Sequence, residues 1–491
     1  MSSGPQAPSG DGRGAASAFP VRAGQVLKSR KLWIFPIVLG LVLVALITTF
    51  YIGSVVDPLS HLRGLPVAVV NQDRTVSAGG RQINFGQDVE RGLSGSTAVT
   101  SRLDLTDTTL SSAEQAMNRG AVYAVVDIPA GFSASLLTLA GAGGGASSGG
   151  GTSASGADGA SAAIEILTNQ RAGGVGVNLA TGVLQPALSK ASSQLGQQLA
   201  TAVPAQADNA LTRAFLADPV TITTSDYRPL SNHSALGLSA FYAALLILMS
   251  GFLAATIVNS SVDGALGYAT TEMGPRWSQR LPLPINRWQT LLVKWAMAAV
   301  LAGLMTAVML LFAAALLRMD TPDLWLLWLL AWLAAVSVAE GTIVLFAVLG
   351  SIGQILALVI FVYAGLATAG ATIPLQALPG VLKLLAEIEP LRQIVGGTRA
   401  ILYYNAQADA GLARAFTTAA LGLLFWLVLG AVVVRWYDHK GFSRLSPELL
   451  AYVSRSAREY RSRQAPAAQP GTEAAASREH ADEPGEPAGQ P

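Results

Sequence analysis

One carboxylate stands inside a long apolar segment of this chain. Glu340 lies within residues 334–350, where it is the only charged side chain. In the hydrocarbon core of a membrane a charged carboxylate costs about 2.5–3.5 kcal/mol, so Glu340 must face other helices, be paired or be protonated. It is a candidate for contacting a substrate or carrying a proton; the alternative is a structural hydrogen bond, with Ser337, Gln354 or Tyr363 as the donor. No second charge is evident in the apolar segments, which argues against a proton relay.

A second group of polar side chains lies between two apolar segments, in residues 259–290. Glycines, arginines and a tryptophan alternate there, as in a short element that lies on a membrane surface and contacts a soluble partner. The residues of this candidate docking loop are Gly267, Glu272, Arg276, Trp277, Arg280 and Arg287. The alternative is a connector whose arginines only fix the orientation of the chain.

Signals of enzymatic chemistry are poor. The chain has no Gly-Lys dipeptide and therefore no phosphate-binding loop of the G-x-x-x-x-G-K-[ST] type. Its four histidines are scattered without metal-ligand spacing, and it has no cysteine for thiolate or disulfide chemistry. We therefore expect no enzymatic activity, no catalytic residue, no cofactor and no metal site. The formal net charge of +2 gives no reason to expect a nucleic acid partner.

The elements that must position these residues are six long apolar runs. They cover residues 32–56, 235–258, 291–317, 324–349, 353–371 and 412–434. Each is long enough to cross a hydrocarbon layer of about 30 Å as a helix, which satisfies its own backbone hydrogen bonds in lipid. The chain is 51% hydrophobic and 13% charged, with a mean hydropathy of +0.44. These values predict an α-helical integral membrane protein with six transmembrane helices, one followed by five.

Basic residues at the ends of these runs indicate the orientation of the chain. The residues that we expect to set the topology are Arg22, Lys28, Arg30, Lys31, Arg435 and Lys440. Because cationic flanks stay in the cytoplasm, both termini and the 259–290 loop should lie inside, and residues 57–234 outside. The first run could also be a cleaved signal peptide, but its length of about 25 residues favours an uncleaved anchor. The Ala-, Gly- and Arg-rich composition is typical of a bacterial plasma membrane protein.

The predicted domain organisation follows from these runs. Residues 1–31 form a disordered, basic cytoplasmic N-terminus, 32–56 the first transmembrane helix, and 57–234 an extracytoplasmic α/β domain with a Gly/Ser-rich insertion at 141–162. Residues 235–434 form a five-helix membrane domain, and 435–491 a cytoplasmic tail that is disordered from about residue 464. A short basic amphipathic helix is expected at 447–463, and residues 372–412 are too polar and broken to cross the membrane.

Alternating strand and helix patterns indicate the α/β fold of residues 57–234. Strands are expected at 65–70, 121–128 and 164–167, and a helix from Ser111, with Glu114 completing a capping box, to Gly120. A second helix at 175–203 carries an apolar stripe at helical spacing. This stripe is interpreted as a face buried in the domain; a partner-binding face is the alternative.

Three motifs in this order carry a family resemblance. They are residues 66–73 (PVAVVNQD), 113–132 (AEQAMNRGAVYAVVDIPAGF) and 372–379 (TIPLQALP). With the layout of one plus five spans, the chain resembles the YhgE/Pip family of phage-infection-protein-like membrane proteins, which belongs to the superfamily of ABC-type exporter permeases. It also looks like the fungal nitrosoguanidine-resistance proteins.

The resemblance implies a permease, a class of cargo and a set of partners, and it gives no catalytic residue to carry over. It implies export of a hydrophobic or amphipathic compound, with a separate ATPase that docks at the 259–290 loop, and assembly as a homodimer or heterodimer in the lipid bilayer. The alternative function is a non-transporting surface scaffold or receptor, such as a phage receptor or a component of a secretion apparatus.

Overall fold

The computed structural model describes residues 30–55, 57–78, 80–139, 162–202, 217–231, 233–273, 276–278, 280, 282–283, 285–370, 373–442, 451 and 455. The expectations for the N-terminal tail with Arg22 and Lys28, for the 141–162 insertion other than residue 162, and for the 447–463 helix and disordered tail therefore lie outside the described residues, apart from residues 451 and 455.

Helices alternate with strands in the first half of the chain and dominate the second. The helices are α1 (Arg30–Val55), α2 (Pro58–His61), α3 (Phe85–Gly95), α4 (Thr97–Thr100), α5 (Leu110–Asn118), α6 (Phe132–Leu139), α7 (Gly174–Ala202), α8 (Ser239–Ala265), α9 (Arg287–Leu316), α10 (Leu324–Leu349), α11 (Ser351–Thr368), α12 (Gly380–Ile388), α13 (Pro390–Tyr403) and α14 (Leu412–His439). The strands are β1 (Leu65–Asn71), β2 (Val76–Ala78), β3 (Arg81–Ile83), β4 (Leu103–Asp107), β5 (Ala124–Ile128), β6 (Ala162–Thr168), β7 (Val220–Asp226), β8 (Thr271–Met273) and β9 (Arg276–Ser278).

Five helices in the described part of the chain are long and apolar enough to cross a membrane, namely α8, α9, α10, α11 and α14. They coincide with the five runs predicted in the second half of the sequence, and the prediction of a helical membrane protein is confirmed. The first predicted span is a helix, α1, of 26 residues. Two spans contain π-helical turns, at Phe312–Leu316 and Leu358–Tyr363.

Helix α10 is the centre of the bundle and packs against α8, α9 and α14. Small residues let the backbones approach closely, as is common between membrane helices. A Cβ at Gly251 of α8 would lie 2.3 Å from the carbonyl oxygen of Ala335. The indole of Trp332 donates to the carbonyl of Ala299 across the α9 contact at 2.9 Å.

The helices alternate in direction, which gives the bundle two distinct ends. At one end the guanidinium of Arg287, at the start of α9, donates to the carbonyl of Phe442, beyond α14, at 3.0 Å. The hairpin β8–β9 lies between α8 and α9 in the chain, so it belongs to this end, which we call the hairpin end. The opposite end carries the α/β domain and is called the domain end.

The α/β domain contains a five-stranded sheet of order β4-β1-β5-β6-β7. Strand β1 pairs in parallel with β4 and β5, β5 pairs antiparallel with β6, and β6 pairs in parallel with β7. The three predicted strands are confirmed as β1, β5 and β6. The predicted capping box is wrong: α5 begins two residues earlier, because the hydroxyl of Thr109 accepts from the amide of Ser112 and caps the helix there.

The apolar stripe of the long helix α7 is buried in this domain. Leu184, Leu188, Leu195 and Leu199 all belong to the main hydrophobic core, with the inner face of the sheet. The interpretation as a core-facing helix is therefore confirmed, and these side chains offer no surface to a partner.

Two of the sequence motifs meet in the structure through Asp73. Its carboxylate accepts hydrogen bonds from the amide of Gly86, the amide of Ser133 and the hydroxyl of Ser133. Ser133 follows the PAGF segment directly, so the end of PVAVVNQD holds the start of α6. This motif therefore has a structural role in the domain.

The segment after α11 joins the α/β domain to the membrane bundle. Its described residues form two shorter helices, α12 and α13, and neither is among the helices long and apolar enough to cross a membrane. Ile373, Leu378 and Leu382 belong to the same hydrophobic core as the sheet and α7. The guanidinium of Arg171 donates to the carbonyl of Tyr403 at 3.2 Å. The domain is thus built from two stretches of chain that are distant in sequence.

Candidate functional site

A cavity of about 510 Å³ opens between α10, α11, α14 and the α12–α13 segment. Its walls are mostly apolar, and it extends from the domain end into the bundle beside the central helix. Small residues leave room for this space. Ala334 of α10 and Ala415, Ala419 and Gly422 of α14 all line the cavity. A Cβ at Gly422 would lie 3.0 Å from the hydroxyl of Ser337.

The mouth of the cavity lies on the side of the bundle. Ile388, Leu421 and Phe425 line the cavity and are also largely exposed, each above half of the side chain's surface. Leu421 and Phe425 belong to α14, one of the helices long and apolar enough to cross a membrane, so the mouth opens on the outer surface of the bundle.

Glu389 is a buried carboxyl group in the wall of this cavity, with 3% of its surface exposed. It is the residue before Pro390, and the ring of Pro390 suits the first turn of α13. One carboxylate oxygen, Oε2, caps that helix by accepting from the amide of Arg392 at 3.2 Å. The other, Oε1, has no hydrogen-bond partner among the described residues. Burial raises the pKa of Glu389 to about 8, against the effect of its backbone hydrogen bonds.

The close fit of Glu389 depends on a glycine of α11. A Cβ at Gly365 would lie 2.7 Å from Glu389 Oε1, so any larger residue there would displace the carboxyl group. The side-chain amide of Gln393, one turn further along α13, donates to the backbone carbonyl of Glu387 at 3.3 Å. Gln393 also lines the cavity. Both polar groups are therefore held in place by their own local contacts.

Glu340, the carboxylate predicted from the sequence, is buried in α10 with 2% of its surface exposed. None of the expected donors Ser337, Gln354 or Tyr363 bonds to it, and its Oε2 has no hydrogen-bond partner among the described residues. Glu340 does not line the cavity, although the next residue, Gly341, packs against Trp426 and Phe361 of the cavity wall. A functional role for Glu340 stays a prediction.

The candidate docking loop forms a short hairpin. Glu272 lies in β8, and Arg276 and Trp277 lie in β9, paired antiparallel. Gly267 has a positive φ of 77° directly after α8, a conformation that favours glycine, and Arg280 is exposed. Arg287 is not part of the loop as expected but begins α9, where it bonds to Phe442.

The expectation that the spans hold no second charge is wrong. Lys294 lies in α9 about seven residues, or about 10 Å, from the start of the helix, and 3% of its surface is exposed. Its ammonium group donates to the carboxylate of Asp263 at 2.8 Å and to the amide oxygen of Asn259 at 2.7 Å, both on α8. This charge was detectable, because Lys294 stands within the apolar run and Asn259 and Asp263 are one helical turn apart.

Other basic residues that were expected to set the topology lie at the hairpin end. The guanidinium of Arg435 stacks on the ring of Trp288 at 4.9 Å from its centroid. Lys440 follows α14 directly and is exposed. Arg30 and Lys31 begin α1. Their effect on orientation stays a prediction.

A comparison with known protein families identifies the family of this chain. The family model of a protein of unknown function, DUF3533, matches residues 36–430. The chain belongs to the DUF3533 family. The match begins in α1 and ends in α14, so membership of DUF3533 covers the α/β domain, the bundle and the cavity together. No curated protein matches the chain.

A solved structure is similar over part of this DUF3533 member. It is the crystal structure of a domain assigned to an ABC type-2 transporter from Thermotoga maritima MSB8, 19% identical, covering 36% of this chain and 97% of that chain. Its TM-score is 0.23, which is too low to establish a shared fold.

Proposed function

We propose that this protein is a permease-like membrane protein of the YhgE/Pip type that exports a hydrophobic or amphipathic compound, driven by a separate ATPase. The observation that supports the proposal is the apolar cavity of about 510 Å³ whose mouth opens on the side of the helical bundle. Ligand pockets for small molecules typically measure about 300–1,000 Å³ and carry few polar groups. A surface scaffold would have no use for such a cavity inside its membrane bundle.

The α/β domain lies outside the cell in this proposal, and the hairpin end faces the cytoplasm. Positive charge supports this orientation, because Arg280, Arg287 and Arg435 all lie at the hairpin end. The cavity then reaches the outer half of the membrane, beneath the α/β domain. This is the position from which a membrane-dissolved compound would be released outward.

Filling the cavity tests transport directly. We expect Ala419→Trp to lower export of a fluorescent amphipathic dye about tenfold or more, because the indole occupies the space between α14 and α10. The neighbouring Ala420 is exposed and does not line the cavity, so Ala420→Trp is the matched control and should export normally. The assay is dye efflux from cells that produce equal amounts of each variant in the membrane. Equal efflux by both variants would refute the cavity as the transport site.

Engagement of an ATPase is tested at the hairpin. We expect Arg276→Glu together with Arg280→Glu to abolish co-purification of an ATPase subunit and to lower export at least tenfold, since both changes reverse charge at the proposed docking loop. Arg318→Glu, at the domain end beyond α9, is the control and should leave both unchanged. Export that is unaffected by the hairpin variants would show that the energy source does not act through this loop.

A further inference from the structure

The charges in the cavity wall have a single sign. Among the described residues that line it, the ionisable ones are Glu387 and Glu389, and neither lysine, arginine nor histidine contributes to the wall. The remaining polar groups are uncharged: Ser337, Gln393 and Thr418. An anionic ligand would therefore meet two carboxyl groups and no compensating cation.

Glu389 has an unused acceptor at this wall. Its Oε2 is occupied by the amide of Arg392, while Oε1 has no partner among the described residues. The guanidinium of Arg392 does not bond to this carboxyl group but donates to the carbonyl of Ala386 at 3.1 Å. A buried carboxylate oxygen without a partner is costly, and a positive charge placed beside it offsets part of that cost.

Aromatic rings complete the environment. Phe361 of α11 and Phe425 and Trp426 of α14 line the same cavity. Trp426 packs edge-on against both rings, with centroid distances of 5.9 Å to Phe361 and 5.0 Å to Phe425. Aromatic faces attract organic cations, most strongly where water is excluded.

We propose that the cavity binds a lipophilic organic cation, with the positive charge at Glu389 and the apolar body against Phe361, Phe425 and Trp426. This inference rests on the proposed function in that it takes the cavity as the cargo site, and it narrows the cargo from hydrophobic or amphipathic compounds to cationic ones. The two carboxyl groups, with no cation among the described lining residues, disfavour fatty acids and anionic lipids. Neutral hydrophobic compounds fill the space but bring no positive charge to Glu389.

Two ions of the same shape and opposite charge test the charge preference. We expect the purified full-length protein at pH 9, where Glu389 is ionised, to bind tetraphenylphosphonium about tenfold more tightly than tetraphenylborate, measured by equilibrium dialysis with protein-free micelles subtracted. This comparison needs no variant, so it does not depend on the folding of one. Equal binding of both ions, or tighter binding of the borate, would overturn the inference.

A substitution tests whether Glu389 is the group that binds the cation. Glu389→Gln keeps an oxygen to cap α13 but removes the negative charge, so at pH 9 it should weaken tetraphenylphosphonium binding about tenfold or more while leaving tetraphenylborate unchanged or tighter. Glu114→Gln, on α5 in the α/β domain, is the control for the same change outside the cavity and should alter neither. Unchanged cation binding by Glu389→Gln would also overturn the inference.

The outcome separates this inference from the proposed function. If Ala419→Trp abolishes export but the protein prefers the borate, the cavity is the transport site and the cargo is not cationic. If Ala419→Trp leaves export intact while tetraphenylphosphonium binds at Glu389, the cation site stands and the export route lies elsewhere. If neither ion binds, the cation site is refuted whatever the export assay gives.

Discussion

Replacing Lys294 with methionine is expected to lower the free energy of unfolding by about 1.5–3 kcal/mol, because the partly buried carboxylate of Asp263 loses a charge-assisted hydrogen bond. Lys294 lies between Asp263 and Asn259, at 2.8 Å and 2.7 Å from their oxygens. Methionine matches the length of the lysine stem, so little packing is lost and the effect reports the charge. Thermal unfolding in detergent micelles, followed by tryptophan fluorescence, measures it.

Removing both charges together distinguishes the contribution of the ion pair to stability from that of side-chain packing. The double variant Asp263→Leu with Lys294→Met should recover most of the lost stability, since apolar residues often replace a buried pair without cost. Lys190→Met, at an exposed position of α7, should change the free energy of unfolding by less than about 0.5 kcal/mol. A double variant as unstable as Lys294→Met alone would show that the pair does not act as a unit.

The position of this pair suggests why it is kept. It joins α8 to α9 near the hairpin end, and these are the two helices that the β8–β9 hairpin connects. The ion pair therefore fixes the spacing of the helices from which the hairpin emerges. If an ATPase engages the hairpin, as we propose, Lys294→Met should weaken coupling as well as stability.

Spans and strands could be predicted because they depend on local pattern. Long apolar runs identify α8, α9, α10, α11 and α14, since lipid selects for hydrophobicity residue by residue. The burial of α7 could likewise be predicted from a stripe at helical spacing. The start of α5 could not be placed to the residue, because Thr109 and Ser111 are both acceptable caps and only the fold selects between them.

The candidate site was largely hidden in the sequence because its parts meet only in three dimensions. Glu389 lies in a broken, semi-polar segment that resembles a surface helix, and its cavity needs α10, α11 and α14 to close around it. Leu382 of α12 packs in one core with Leu62 and Leu65, although they lie at opposite ends of the matched region. Sequence pattern identifies an apolar face but does not say what covers it.

The α12–α13 segment connects the α/β domain to the cavity. Leu378 and Leu382 lie in the core of the domain, while Leu385, Glu389 and Gln393 line the cavity. Movement of the domain on the bundle would therefore shift α12 and with it the carboxyl group of Glu389. In the proposed function, a cargo held at Glu389 is in this way linked to the position of the α/β domain.

The stability of the protein should fall as pH rises through the range in which Glu389 is protonated only in the folded state. Burial raises the pKa of Glu389 from 4.5 to about 8. Between these values the unfolded chain has lost the proton and the folded chain retains it, so unfolding is favoured increasingly as pH rises, and the effect is constant above about pH 8. At about 1.4 kcal/mol per pKa unit, the ceiling of this penalty is about 5 kcal/mol.

Glu389→Gln removes this penalty and should therefore be more stable than the natural protein by an amount that grows from acidic pH to about pH 8. The measurement is the difference in thermal unfolding between the two proteins at matched pH values, which cancels every other titrating group, including the nearby Glu387. Glu387→Gln is the control on the exposed rim and should change stability by less than about 0.5 kcal/mol at each pH. A constant difference between the natural protein and Glu389→Gln would mean that the carboxyl group is ionised in the folded state.

The same variant also loses the proposed cation site. If Glu389→Gln is more stable than the natural protein and binds tetraphenylphosphonium more weakly, then Glu389 serves ligand binding at a cost in folding stability.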